Sequence, residues 1–302
     1  MTSARMHPDE PDIDAALVRE LIKEQFPSWS RLPMTPVAST GTDNALYRLG
    51  KDMAVRLPRR PQAALQIEKE AQWLPAFESH LPVEIPVPVA TGDPSFDYPW
   101  PWAICRWLDG RDALVEAISN LNEAAITLAG IIRALREMDT TGGPPPGPHN
   151  FHRGVPLVDR DERTREAIAA LPNTFDRAAL TFAWDRALET PRWNGEPSWI
   201  HGDLAAGNLL VRSNRIVGVL DWGGLAVADP ACDLMIAWTL LPGESRATFK
   251  SMMDVDEATW NRARGWTLSV AAIAIPYYLT TGPTIVRWAT HAIQQILMDP
   301  TA

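Results

Sequence analysis

The sequence predicts an α+β chain of two lobes. Three features point there: a first third rich in short β-prone runs, a helical remainder, and one return to β inside that remainder. With 302 residues, 46% of them apolar and 22% charged, the chain is long enough for two cores and too apolar to stay disordered.

Ile13, Leu17, Val18, Leu21 and Ile22 recur at helical spacing. Asp12 or Asp14 is placed to cap that helix, and it should end near Pro27. After a small polar loop at 39–44, residues 45–49 and 53–57 are β-prone and joined by Gly50-Lys51-Asp52, the pattern of a hairpin. Residues 61–80 read as helix, with Ala64, Ile67, Ala71 and Leu74 as the apolar stripe and Pro75 expected to kink or end it early. Residues 85–90 and 102–107 are further strand candidates, and a hinge is expected near 106–110. Beyond it, 121–138 is a strong helix. The breaker cluster GGPPPGPH at 142–149 is a loop, either a surface connection or a substrate-facing insertion. One or two helices fill 160–188, and from Ala231 onward the chain is helical and rich in Trp and Ala. Between them, β runs at 209–211 and 216–220 meet at Ser213-Asn214. The lobes are expected to span 1–108 and 109–302.

Charge and cysteine content narrow the function. The balance of 28 basic against 37 acidic residues, −9 overall, argues against a nucleic-acid partner and favours a cationic small molecule. Two cysteines, Cys105 and Cys232, are too few for a disulfide framework or a cysteine zinc site. The polar start does not read as a signal peptide, and the longest apolar stretch, 266–279, is too short to cross a bilayer. The expectation is a cytoplasmic protein without a membrane partner; the oligomeric state is left open.

The chemistry concentrates in IHGDLAAGNLLVRSNRIVGVLDWGG, starting at Ile200. Asp203 and Asn208 stand five apart in a loop that feeds a strand, and the hairpin should return Asp221 near Asn208. Phosphoryl transfer uses this set: a carboxylate to orient a hydroxyl and take its proton, and hard oxygen ligands for Mg²⁺ against the phosphates. HGDLAAGN is similar to the H-x-D-x-x-x-x-N catalytic loop of the protein-kinase superfamily, with Asp221-Trp222-Gly223 where kinases carry D-F-G. The H-G-D form, followed by Asp229-Pro230-Ala231-Cys232-Asp233-Leu234, resembles the aminoglycoside phosphotransferase family.

That resemblance implies a bilobal protein-kinase-like fold, with a small N-terminal lobe holding an antiparallel sheet and a larger, mainly helical C-terminal lobe. It makes Asp203 the catalytic base and Asn208 and Asp221 the magnesium ligands. Met53-Ala54-Val55-Arg56 resembles the kinase V-A-I-K motif with Arg for Lys. Strand alternation sets Ala54 and Arg56 on one face, a small residue for the adenine ring and a planar cation for phosphate oxygens. Glu68 and Glu70 lie on different faces of their helix, and the resemblance selects Glu70 as the partner of Arg56. Thr40 and Gly41 would cover the phosphates. The Arg106 carbonyl and the Leu108 N–H would pair with the adenine edge. His201 is read as a brace of the loop, Asp229 as a helix N-cap, and Asp233 as a first-turn carboxylate.

The function so implied is ATP- or GTP-dependent transfer of the γ-phosphate to a hydroxyl of a small cationic acceptor, such as an aminoglycoside-type antibiotic, with antibiotic resistance as one possible role. The alternatives are a choline-, ethanolamine- or sugar-type kinase and a non-catalytic nucleotide-binding module.

Overall fold

Strand alternation sorts the first sheet into two faces. A computed structural model describes residues 11–37 and 43–299; Thr40 and Gly41 lie outside them. The chain divides into two units, one running to Gly110 and including Gly218–Gly223, the other holding Arg111–Val217 and everything from Gly224 on.

In the first unit, α1 (Ala15–Gln25) is capped by Asp14, whose carboxylate accepts from Ala16 N at 3.0 Å and Leu17 N at 2.8 Å. The sheet consists of β1 (Met34–Pro36), β2 (Asn44–Leu49) and β3 (Met53–Pro58), then β4 (Pro88–Gly92) and β5 (Trp102–Arg106), in the antiparallel order β1-β2-β3-β5-β4. Ala45, Tyr47, Leu49, Val55, Leu57, Trp102 and Ile104 share one face and pack with Val18, Leu21 and Ile22 of α1. Ala103 and Cys105 point the other way, toward Ile67 of α2 (Pro61–Phe77). So odd positions of β3 build the core, and Ala54 and Arg56 belong to the face that α2 covers.

Two local expectations shift. Helix α2 runs two residues past Pro75 and ends at Phe77, because a proline in the last turn removes little of the bonding ladder. The fourth strand starts at Pro88, three residues later than expected, with a register shift between Pro88 and Ala90. Pro86 and Pro88 lack the N–H groups that an earlier ladder would need.

The second unit is mainly helical. It contains β6 (Arg111–Asp112), α3 (Leu121–Glu137), α4 (Asp161–Ala170), α5 (Arg177–Leu188), β7 (Ser198–Ile200) and β8 (Leu209–Arg212). Strand β9 (Arg215–Val219) leads out of it, and β10 (Ala226–Ala228), α6 (Ile236–Thr239), α7 (Gly243–Met253), α8 (Glu257–Tyr278) and α9 (Pro283–Leu297) complete it. The β8–β9 hairpin turns on Ser213 and Asn214 at φ 54° and 62°, the paired left-handed residues of a tight two-residue loop. Strand β6 pairs with β8 at Arg111↔Val211, so the break expected after Leu108 contains a two-residue strand. Strands β7 and β10 pair in register Ile200↔Ala226. They were invisible in the sequence, because three residues are too few to show alternation. Among the described residues no helix is long and apolar enough to cross a membrane.

Candidate active site

In the first unit the chemistry gathers on one face of α2. Gln66, Lys69 and Glu70 follow at i, i+3 and i+4, so all three project to the same side. Glu70 is 1% exposed and accepts a hydrogen bond from Arg56 Nη1. Arg56 Nη2 also lies 3.9 Å from Asp221 Oδ1. Rotated to satisfy both its ends, the Asn44 amide accepts from Arg56 Nε at 3.2 Å and Nη2 at 3.3 Å. Burial works against the charge on Arg56, but Glu70 and then Asp221 outweigh it and hold its pKa above the usual arginine value. Burial raises the Glu70 pKa in spite of Arg56, and among the described residues its Oε1 has no hydrogen-bond partner.

The segment bearing Asp221 is held from the same helix. Lys69 Nζ donates to the Gly223 carbonyl at 2.7 Å, and Trp222 meets Phe77 edge-on with centroids 6.1 Å apart. Val219 N donates to Glu84 O at 3.0 Å. Asp221 sits at φ 60°, a left-handed conformation that is uncommon outside glycine and tolerated by aspartate, and its side chain is 52% exposed. Burial pulls the Lys69 pKa down to about 8.

In the second unit the loop that bears Asp203 and Asn208 is held through its backbone. Asp233, buried in the turn after Pro230, accepts from His201 N at 2.6 Å and Gly202 N at 2.8 Å. Burial raises its pKa against those two donors. Gly202 has φ +81°, and a Cβ there would sit 2.3 Å from the Gly224 carbonyl oxygen; one on Gly224 would sit 2.6 Å from His201 O. The two backbones touch where only glycine fits. His201 is fully buried, and its Nδ1 accepts from Asp203 N at 3.2 Å. The Asp203 carboxylate is thereby turned out, 47% exposed. Asn208 Nδ2 donates to Asp203 O at 2.8 Å and Oδ2 at 3.1 Å, and its Oδ1 takes no hydrogen bond among the described residues.

The placement of the sequence candidates follows. Arg56, Glu70 and Asp221 come together in the first unit, and Asp203 and Asn208 in the second. Ala54 faces Cys105 across β3 and β5. Arg106 spends its side chain on Glu78 and its N–H on Val87 O, at 3.0 Å. The Leu108 N–H finds no acceptor among the described residues. Cys105 is an inert packing thiol, raised to about 12 by burial. Asp229 does cap the turn after it, accepting from Ala231 N at 3.0 Å, and pairs with Arg262 Nε at 2.7 Å. Asp233 does lie in the first turn after Asp229, and it also binds the backbone of the loop that bears Asp203. Gln66, Lys69 and Arg153 were missed. The first two carry a signal, polar residues at i, i+3 and i+4 with Glu70 beside the apolar stripe. Arg153 lies in a loop and carries none.

Comparison with known proteins gives the family and the fold. Residues 35–266 fit the model of the phosphotransferase enzyme family. Among solved structures, the GDP and kanamycin complex of APH(2")-IIia superposes with a TM-score of 0.71 at 20% identity, covering 93% of this chain and 97% of that one. Macrolide 2'-phosphotransferase MphH from Brachybacterium faecium gives 0.63 at 20% identity over 95% and 98%. The streptomycin–ATP–APH(2")-IIa ternary complex gives 0.58 at 16% over 86% and 90%. In sequence, 63 residues are 38% identical to the uncharacterized protein YcbJ of Bacillus subtilis (strain 168), a match spanning 20% of this chain and about a fifth of that relative. The fold is the α+β, protein-kinase-like one that the catalytic-loop motif implied, and the chain belongs to the phosphotransferase enzyme family.

Proposed function

We propose that this chain transfers the γ-phosphate of ATP or GTP to a hydroxyl group of a small molecule. One observation carries the reading: a half-exposed carboxylate, Asp203, stands on a loop fixed by buried hydrogen bonds, with the Asn208 amide turned to it. In this reading Asp203 orients the acceptor hydroxyl and takes its proton. The hydroxyl oxygen bonds to the γ-phosphorus as the bond to the β–γ bridging oxygen breaks, and the nucleoside diphosphate leaves. Arg56, held charged by Glu70, binds phosphate oxygens, and Ala54 and the Leu108 N–H receive the base. Thr40 and Gly41 would add phosphate contacts.

The donor set suits Mg²⁺. Asn208 spends its nitrogen on Asp203 and keeps a carbonyl oxygen, and Asp221 offers a half-exposed carboxylate; both are hard oxygen ligands. Mg²⁺ held by Asn208 and Asp221 would neutralise charge on the phosphates. The solved relatives, with GDP and kanamycin or ATP and streptomycin bound, support both the nucleotide and the hydroxyl-rich acceptor. A net charge of −9 favours an acceptor with positive charge somewhere on its frame. Aminoglycosides, macrolides, choline-like amino alcohols and sugars form the first panel. The test is nucleoside diphosphate release with each compound under Mg²⁺, with the phosphorylated product identified by mass spectrometry. Stimulation by at least one compound is expected; nucleotide binding with no phosphoryl acceptor in any class would replace the enzyme by a binding module.

A further inference from the structure

We propose that Arg153 makes this a phosphotransferase for hydroxyls that have no positive charge beside them. The assignment rests on Asp203 being the base, as read above. An acceptor ammonium next to the reacting hydroxyl would seek the Asp203 carboxylate as its counter-ion. Here that place is taken: Arg153 Nη2 lies 3.4 Å from Asp203 Oδ1, while Asn208 Nδ2 serves Oδ2. The catalytic loop itself, HGDLAAGN, has no cation between Asp203 and Asn208.

The guanidinium is held by construction. The Pro-rich loop is tied to β10 by Val227 N donating to Pro144 O at 2.8 Å. The fully buried Asn150 then organises the corner. Its Oδ1 accepts from Gly147 N at 2.9 Å, and its Nδ2 donates to Arg153 O at 3.0 Å and to Gly224 O at 3.3 Å. Arg153 N donates back to Asn150 O at 3.1 Å. Phe151 and His152, both at φ 57°, form the strained left-handed bend that turns the next residue inward. The Gly224 carbonyl that receives Asn150 is the one packed against Gly202, so Arg153 and Asp203 share an anchor. Arg153 is 16% exposed, which leaves its charge little water to screen it.

The buried carboxylates of this unit are already engaged. Among the described residues its buried carboxylates are Asp229 and Asp233, the first bound to Arg262 and Ala231 N, the second to His201 N and Gly202 N. Any positive charge on the acceptor therefore belongs away from the hydroxyl that reacts.

The test compares two acceptors that differ in that charge and little else: choline and its neutral isostere 3,3-dimethylbutan-1-ol. The full chain, Arg153→Gln and Arg153→Lys are assayed with Mg²⁺ and nucleotide, and circular dichroism melts confirm that each is folded. Wild type and Arg153→Lys should favour the neutral member by about tenfold or more in kcat/KM, and Arg153→Gln should lose that preference. A residue that only supports the loop would lower turnover of both members alike. A cationic preference in wild type, or a neutral preference that Arg153→Gln leaves in place, overturns the assignment while leaving the phosphotransferase reading intact. Absence of phosphoryl transfer to every hydroxyl compound in all three proteins overturns that reading and this one with it.

Discussion

In the first unit a carboxylate is held by side chains; in the second it is held by backbone. Glu70 keeps Arg56 charged, and Lys69 reaches from the same helix to the carbonyl of Gly223. Asp203 instead stands on a loop whose N–H groups bind Asp233 and whose glycines touch another strand of backbone. The first arrangement depends on charge and on which helix face is buried. The second depends on conformations that few residues adopt, so a change of one atom should break it.

The largest effect expected is on chemistry alone. Asp203→Ala should lower kcat by about 10²–10⁴-fold, the usual contribution of a positioned base. The affinity for nucleotide, measured by isothermal titration, should barely change, because Asp203 reaches out of a loop anchored by its neighbours' backbone. An equal loss of nucleotide binding would show that the loop, and not the carboxylate, had been damaged.

Glu70→Ala attacks the side-chain half. It strands a buried guanidinium, which costs about 3–5 kcal/mol when no partner replaces the lost one. Asp221, 3.9 Å from Arg56, is exposed and compensates in part, so urea unfolding should report the lower end of that range. The KM for nucleotide should rise with it. Unchanged stability would mean that Arg56 already finds solvent, and the contrast between the halves would fail.

Legibility follows the same division. The loop that bears Asp203 stood out in the sequence through its resemblance to the kinase motif and through the marks its backbone leaves: glycine at 202, Asp203 and Asn208 five apart, and a two-residue turn at Ser213-Asn214 before Asp221. Arg56 was picked out by its resemblance to the V-A-I-K motif, and alternation on β3 gave the face it shares with Ala54. Lys69 and Gln66 were not singled out, since a polar residue on an amphipathic helix looks solvated until the element that covers it is known. Asp233 was noticed, but its partners lie about thirty residues upstream at His201 and Gly202, and spacing alone assigned it to its own helix. Strands β7 and β10, three residues each, pair with one another and carry no local pattern.

Gly202→Ala tests the backbone half without touching a charge. The new Cβ must share space with the Gly224 carbonyl and sit at a left-handed φ, so about 2–4 kcal/mol of stability should be lost. That loss should be the same at pH 6 and pH 9, read from denaturant midpoints. A marked pH dependence would show that the substitution also disturbs the hydrogen bond from Gly202 N to the Asp233 carboxylate.

Lys69→Met gives the smallest and most specific signal. The amine has a pKa of about 8 in the folded chain against about 10.5 when unfolded, because burial disfavours its charged form. Below pH 8 both states hold the proton, and stability is insensitive to it. Between about 8 and 10.5 the unfolded chain binds a proton that the folded chain has released, so this group's contribution to stability rises with pH. Other buried groups move the total the opposite way, Cys105 among them, whose raised pKa makes the unfolded thiol lose its proton first. The difference curve between wild type and Lys69→Met removes them. It should climb by about 1–2 kcal/mol across that window, in favour of wild type. A flat difference would mean that the ammonium is as well hydrated in the fold as out of it, and that Gly223 is held by packing from Gln66 and Trp222 rather than by Lys69.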